Sequence, residues 1–138
     1  MIYLASNSPR RAELLEQIGV SFARINAAVE EKIKAGESAQ HYVLRLALEK
    51  AQAGFANSDR RRPVLGADTI VVIDGQVLEK PADQAHAQKM LQLLSGRTHQ
   101  VFTAIALVNA QSAETQLVKT DVSFKVLTEQ EIEAYWLT

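Results

Sequence analysis

The most apolar run of this chain, Val64–Ile73, constrains its fold more than any other feature. Only the residues Gly66-Ala67-Asp68-Thr69 interrupt its apolar character. Asp74-Gly75 follows directly and is the strongest hairpin signal in the chain, because both residue types tolerate the positive φ angles of a tight turn. The run therefore predicts a long, largely buried strand that turns back through residues 76–78.

Segments with strand and helix periodicity alternate along the chain. Further strands are predicted at residues 2–4, 21–25, 101–109 and 116–126. Helices are predicted at residues 10–18, after the N-cap Ser38, from Pro81-Ala82-Asp83 (with Asp83 as N-cap) to Ser95-Gly96, and after the capping box at Thr128. The connection at residues 26–37 is polar, and no linker or repeat divides the chain. The pattern predicts a single α/β domain over residues 1–138 with a mixed sheet.

Composition narrows the class of protein. With 138 residues, 47% of them hydrophobic and 22% charged, the chain resembles an ordinary globular domain with a sizeable core. Its net charge of −1 disfavours a nucleic-acid-binding module. The absence of cysteine excludes disulfides and thiolate metal sites. Apolar runs fall short of the roughly 18 residues of a membrane span and no signal-peptide pattern is present, so we expect a cytoplasmic protein with no membrane partner.

The turn from Ser6 to Arg11 is the first candidate site. It lies between a predicted strand and a predicted helix, where backbone N–H groups and the helix dipole favour an anion such as phosphate. A capped helix start explains Ser8 and Pro9 equally well. It does not explain Arg10 and Arg11, because the helix dipole disfavours cations in the first turn. Both interpretations stay open at this point.

Asp68 is the second candidate, because it lies inside the most apolar run. A buried carboxylate must be paired, bound to a metal or placed at a strand end facing a cleft. The alternative is a carboxylate that caps a local turn beside Gly66. Thr69 would point to the opposite face of a regular strand. The histidines lack metal-ligand spacing, and no P-loop or dinucleotide fingerprint is present.

Five motifs in order resemble the Maf family of nucleoside triphosphate pyrophosphatases across essentially the whole chain. They are Leu4-Ala5-Ser6-Asn7-Ser8-Pro9-Arg10-Arg11-Ala12-Glu13-Leu14-Leu15, Arg45-Leu46-Ala47 with Glu49-Lys50-Ala51, Gly66-Ala67-Asp68-Thr69, Leu78-Glu79-Lys80-Pro81, and Leu94-Ser95-Gly96-Arg97-Thr98-His99. The resemblance implies an elongated, twisted mixed sheet flanked by helices, as in the related inosine triphosphate pyrophosphatases. It also implies cleavage of a nucleoside triphosphate between the α and β phosphates, with a divalent cation, Mg²⁺ or Mn²⁺, as cofactor.

The resemblance assigns roles to individual residues. Asp68 would be the carboxylate that activates water, and Glu31 would bind the metal with it. The substrate would be bound by Ser6, Ser8, Arg10, Arg11, Lys50, Thr69 and Lys80. Within the family, Arg after the loop proline and Thr after the catalytic Asp mark enzymes that act on dTTP and UTP. Arg10 and Thr69 therefore imply that subgroup rather than the one acting on 7-methyl-GTP, which has Trp and Gln there.

Family members continue beyond Tyr135-Trp136 into further strands, so we expect this chain to be incomplete at its C-terminus. A non-catalytic chain that still binds nucleotide is therefore an alternative to an active dTTP/UTP pyrophosphatase, as is a 7-methyl-GTP pyrophosphatase. The sequence leaves open whether the chain forms a homodimer.

Overall fold

The computed structural model describes residues 1–6, 8–78 and 83–137, with the side chains of residues 135–137 left undescribed. Strands and helices alternate through most of these ranges, as predicted. In chain order they are β1 (Ile2–Ala5), α1 (Pro9–Gln17), β2 (Phe22–Arg24), α2 (Ala39–Ala56), β3 (Val64–Ile73), β4 (Gln76–Leu78), α3 (Gln84–Leu94), β5 (Thr98–Val108), β6 (Ala113–Ser123) and α4 (Glu129–Leu137). None of the described helices is both long and apolar enough to cross a membrane.

The chain divides into two compact units. The first comprises Met1–Thr69 and Thr103–Val118, and the second comprises Ile70–Phe102 and Lys119–Thr138. Strands β3, β5 and β6 each contribute residues to both units. The single domain expected over residues 1–138 stays a prediction.

The sheet is mixed, which confirms the predicted fold class. Its strand order is β2-β1-β3-β5-β6, and β4 pairs with β3. Strand β1 runs parallel to both β2 and β3, whereas β4 runs antiparallel to β3. The parallel pairs require crossover connections, and helices α1 and α2 supply them. The β3–β4 hairpin turns at Asp74 and Gly75, whose φ angles of 52° and 76° suit a two-residue turn.

The predicted helix caps are confirmed. At each cap a side-chain oxygen accepts a hydrogen bond from the backbone N–H three residues ahead. The four bonds run from Arg11 N to Ser8 (3.4 Å), from His41 N to Ser38 (3.1 Å), from His86 N to Asp83 (2.8 Å) and from Glu131 N to Thr128 (3.1 Å). Thr128 N also donates to Glu131 Oε1 at 3.3 Å, which completes the capping box. Pro81 and Ala82, expected to open the third helix, lie outside the described residues.

The predicted bounds of the last two strands are wrong, because both strands begin earlier than their apolar patterns indicated. The turn between them is short, since Asn109 Oδ1 accepts hydrogen bonds from the N–H groups of Gln111 and Ser112, each at 2.8 Å. Asn109 N also donates to the Ser112 carbonyl at 2.9 Å. Most of β6 is exposed, so the strand can begin at Ala113 and include the polar residues Glu114 and Thr115 without a burial penalty.

Strand β3 approaches helix α2 very closely at Gly66. A Cβ atom at this position would lie 2.4 Å from the Ala47 carbonyl oxygen and 2.6 Å from the Ala51 nitrogen. Both distances are shorter than non-bonded backbone contacts allow. Gly66, Ala47 and Ala51 are all buried, and only small residues let the strand and the helix backbone meet here.

Gly66→Ala is expected to lower the free energy of unfolding by about 1–3 kcal/mol or more, because the added methyl meets backbone atoms that cannot rotate away. Gly54→Ala is the matched control, because its Cβ would meet only side chains, with Val64 Cγ1 nearest at 2.9 Å. Urea unfolding of both variants measures the difference. A Gly66→Ala variant as stable as the wild-type chain contradicts the backbone clash.

We expect His99 to make the free energy of unfolding depend on pH. Its side chain is buried at 4% exposure, and Nδ1 has no hydrogen-bond partner among the described residues. The Phe124 ring lies edge-on to the imidazole at a centroid distance of 4.8 Å. Burial lowers the pKa of His99, because the protonated imidazole loses its hydration.

The folded state therefore binds the His99 proton less tightly than the unfolded state does. Stability from this group is complete above the ordinary histidine pKa of about 6.5 and declines as the pH falls toward the lower folded value. His99→Gln is expected to reduce the loss of unfolding free energy between pH 7.5 and 5.5, measured by urea unfolding. His86→Gln, at a partly exposed histidine of the same unit, is the control. An undiminished pH dependence in His99→Gln contradicts the assignment.

Candidate functional site

The strand register of the first unit brings the Ser6–Arg11 turn beside Asp68. Strands β1 and β3 are parallel, and Ala5, the last residue of β1, pairs with Gly66. Strand β3 continues past this point through Asp68 and Thr69. The turn that follows β1 therefore lies level with these two residues. A single chain turn and a single strand thus form one cluster of polar side chains.

Arg11 connects the turn to β3. Its Nη1 donates to Ser6 Oγ at 3.1 Å, and its Nη2 donates to Thr69 Oγ1 at 3.0 Å. Ser6 Oγ also accepts from the Ser8 N–H at 3.2 Å, so the turn is held from both sides. The Thr69 hydroxyl lies 3.1 Å from that of Thr103, a residue of β5 that sequence reasoning missed. No local motif marks Thr103; only the neighbouring position of β5 and β3 reveals it.

Lys50 bridges the two candidate acids. Its Nζ lies 3.1 Å from Asp68 Oδ1 and 2.6 Å from Glu31 Oε1. The Lys50 side chain is 17% exposed and that of Asp68 is 11% exposed, so water screens this pair weakly. Lys50 thus supplies the partner that a carboxylate inside an apolar strand requires. It reaches Asp68 from α2, on the helix face that packs against Gly66.

The electrostatics of Arg11 place it in the same cluster. Burial lowers the pKa of Arg11, and the negative charges of Asp68 and Glu31 oppose that shift. Two cationic and two anionic side chains therefore influence one another, contributed by α1, α2, β3 and the connection at residues 26–37. The opposite charges offset part of the cost of removing each group from water.

The donor set fits a hard divalent cation. Glu31 and Asp68 come from different segments, yet both carboxylates bond to the same ammonium group. Mg²⁺ and Mn²⁺ prefer oxygen ligands, and one or two carboxylates suffice when substrate phosphates and water complete the shell. Within the part of the chain that the structure describes, no group of three or more His, Cys, Asp or Glu side chains could hold a metal. The substrate and water could supply further ligands.

Arg10 stands apart from the cluster. It is exposed in the first turn of α1, and no hydrogen bond or ion pair joins its side chain to another described residue. With Ser8, Glu13 and Gln17 it lines an open recess of about 560 Å³ along α1. The two adjacent arginines of the turn therefore differ in environment. Lys80, also assigned to substrate, lies outside the described residues.

Comparison of the sequence with known proteins identifies the family of this chain. The family model for Maf-like proteins matches residues 1–138. The dTTP/UTP pyrophosphatase of Salmonella typhimurium is 59% identical over 134 residues, which cover 97% of this chain and 68% of that enzyme. The dTTP/UTP pyrophosphatase of Escherichia coli K12 is 57% identical over the same shares of both chains.

Solved structures share the fold at lower sequence identity. A nucleoside triphosphatase, or dITP/XTP pyrophosphatase, from Mycobacterium abscessus aligns with a TM-score of 0.58 at 19% identity, over 88% of this chain and 73% of that one. The Ham1 protein of Staphylococcus aureus aligns with a TM-score of 0.55 at 20% identity, over 88% of this chain and 69% of that one. At such identities these structures establish the fold alone. The match to the family model over the full chain, together with the two relatives above 50% identity, shows that this chain belongs to the Maf family.

Proposed function

We propose that this chain is a nucleoside triphosphate pyrophosphatase that hydrolyses dTTP and UTP to the monophosphate and pyrophosphate. The observation that carries the proposal is the cluster of Asp68, Lys50 and Glu31 beside Arg11. It supplies cations for a polyphosphate and carboxylates for a divalent cation and for water. Relatives at 57–59% identity are named dTTP/UTP pyrophosphatases, which supports the choice of substrate.

The polyphosphate would bind where the turn, α1 and α2 present positive charge. Arg11 carries the forked donors suited to phosphate, and the positive end of the α1 dipole favours an anion at the same turn. Lys50 adds a point charge from α2. The family resemblance adds Lys80 to these phosphate-binding residues. A bound triphosphate would give Lys50 an anionic partner besides Glu31 and Asp68, and would give an anionic partner to Arg11, which now donates to two hydroxyls.

Asp68 is proposed as the general base. Its carboxylate is held by Lys50 at the point where the turn meets β3. In the reaction the water oxygen bonds to phosphorus, the bridge between the α and β phosphates breaks, and the proton of the attacking water passes to Asp68. The products are a nucleoside monophosphate and pyrophosphate.

Glu31 and Asp68 are the residues that would hold a divalent cation, Mg²⁺ or Mn²⁺. When bound, such a cation neutralises phosphate charge and polarises phosphoryl oxygens. The side chains of the protein would position the triphosphate, and this matters because phosphoryl transfer depends chiefly on orientation and charge stabilisation. A cytoplasmic location is a further prediction from the sequence, which leaves the oligomeric state open.

Asp68→Asn is expected to reduce pyrophosphate release by about 10²–10⁴-fold, because the amide cannot accept the proton from water. Lys50 keeps Glu31 as an anionic partner in this variant, so the fold should persist, as circular dichroism would confirm. Asp121→Asn, at an exposed position of β6, is the matched control and should retain full turnover. Unchanged turnover in Asp68→Asn would remove Asp68 from the mechanism.

Nucleotide preference provides a second test. With Mg²⁺ present, pyrophosphate release is expected to be fastest with dTTP and UTP in a panel of canonical and methylated triphosphates, measured as kcat/KM. A preference for 7-methyl-GTP would contradict the subgroup implied by Arg10 and Thr69. Absence of turnover on every nucleotide, with nucleotide binding retained, would favour the non-catalytic alternative.

A further inference from the structure

Glu31 lies on a connection that has no helix or strand to hold it. Residues 26–37 join β2 to α2, and we call them the Glu31 segment. Near its start, Nδ2 of Asn57, the C-cap residue of α2, donates to the Asn26 carbonyl at 3.2 Å. A carboxylate on such a segment needs further anchors, because an unanchored connection samples many conformations. The structure supplies those anchors from α2.

Glu37, at the end of the Glu31 segment, is held by four contacts. Its side chain is only 3% exposed. Arg45 Nε donates to Oε2 at 2.7 Å and Arg45 Nη2 donates to Oε1 at 2.9 Å, which is a bidentate pair. The Lys34 N–H donates to Oε1 at 3.1 Å, and His41 Nδ1 lies 2.6 Å from Oε2. Hydrogen bonding to Arg45, above all, holds the pKa of Glu37 well below its ordinary range, so the carboxylate stays ionised at neutral pH.

Arg45 also binds the backbone next to Glu31. Its Nη2 donates to the Lys32 carbonyl at 2.9 Å, one residue after Glu31. Its Nη1 donates to Glu49 Oε1 at 2.8 Å, and its guanidinium lies 5.4 Å from the centre of the Tyr42 ring. Every nitrogen of the guanidinium is therefore engaged. Lysine could not reproduce this set, because it carries a single nitrogen and no planar fork.

We propose that the Glu37–Arg45 pair is a positioning clamp, which sets Glu31 against Lys50 and Asp68 so that the two carboxylates can hold a divalent cation. Arg45 and Lys50 both belong to α2. The helix therefore binds the Glu31 segment at two points, through Arg45 at the Lys32 carbonyl and through Lys50 at the Glu31 carboxylate. The proposal rests on the proposed function of this site. It adds two residues that touch neither substrate nor metal.

A purely structural role is the competing explanation. An ionised Glu37 just before α2 also stabilises that helix through its dipole. That role predicts a loss of stability with unchanged metal affinity. The clamp instead predicts weaker metal binding and a loosened Glu31 segment, even where the fold remains intact.

The test measures Mn²⁺ binding to the chain without nucleotide, by electron paramagnetic resonance of the free ion. The variants are Glu37→Gln and Arg45→Lys, with Glu31→Gln as the reference for a lost ligand. Glu49→Gln is the matched control, because it removes a different ion pair of the same guanidinium and leaves the Glu31 segment bound. We expect Glu37→Gln and Arg45→Lys to weaken Mn²⁺ binding about 10-fold or more, as losses of groups that orient metal ligands do. Glu49→Gln should stay close to the wild-type affinity.

Hydrogen exchange gives a readout that needs no metal. Backbone amides of residues 27–36 should exchange faster in Glu37→Gln and Arg45→Lys than in Glu49→Gln, with circular dichroism unchanged. Arg45→Lys serves if Glu37→Gln fails to fold. Wild-type Mn²⁺ affinity in both clamp variants, an equal loss in Glu49→Gln, or wild-type binding that does not depend on Glu31 would overturn the clamp. Failure of the proposed function would give a different result. The wild-type chain would release no pyrophosphate, while its Mn²⁺ affinity would still fall in Glu31→Gln and Glu37→Gln.

Discussion

The contact between Gly66 of β3 and the backbone of α2 is the constraint on which the candidate site depends. With no side chain between them, the strand meets the helix at Ala47 and Ala51. Lys50 lies on the same helix face, since residues three and four apart are neighbours on a helix. Its ammonium group can therefore reach Asp68, two residues beyond Gly66 on the same face of the strand. A larger residue at Gly66 would push the strand away from the helix that carries Lys50.

Helix α2 links the packing of the first unit to its charges. One part of the helix is buried against the sheet through Val43, Leu46 and Ala47. Another part carries Arg45 and Lys50, which bind the connection at residues 26–37. A helix is rigid over this length, so α2 fixes Asp68 and Glu31 relative to each other. This arrangement explains how an irregular segment can contribute a carboxylate at a defined place.

Features that depend on near neighbours in the chain were predictable. Ser8, Ser38, Asp83 and Thr128 cap helices as expected, because each cap joins residues only a few positions apart. The β3–β4 turn at Asp74 and Gly75 followed from the same kind of local chemistry. The bounds of β5 and β6 were not predictable, because strand pairing extends both strands into polar residues that carry no apolar alternation.

The sequence by itself determined the succession of strands and helices, the mixed α/β class, and the motif order by which the chain resembles the Maf family. It also marked Asp68, because a lone acid in an apolar strand needs a partner. Only the tertiary structure decided that Lys50 is that partner, that Arg11 rather than Arg10 joins the turn to Thr69, and that Arg45 holds Glu37. Arg11 and Thr69 are 58 positions apart in the chain. Contacts over such separations depend on strand register and on the close packing of α2 against β3, which no local pattern encodes.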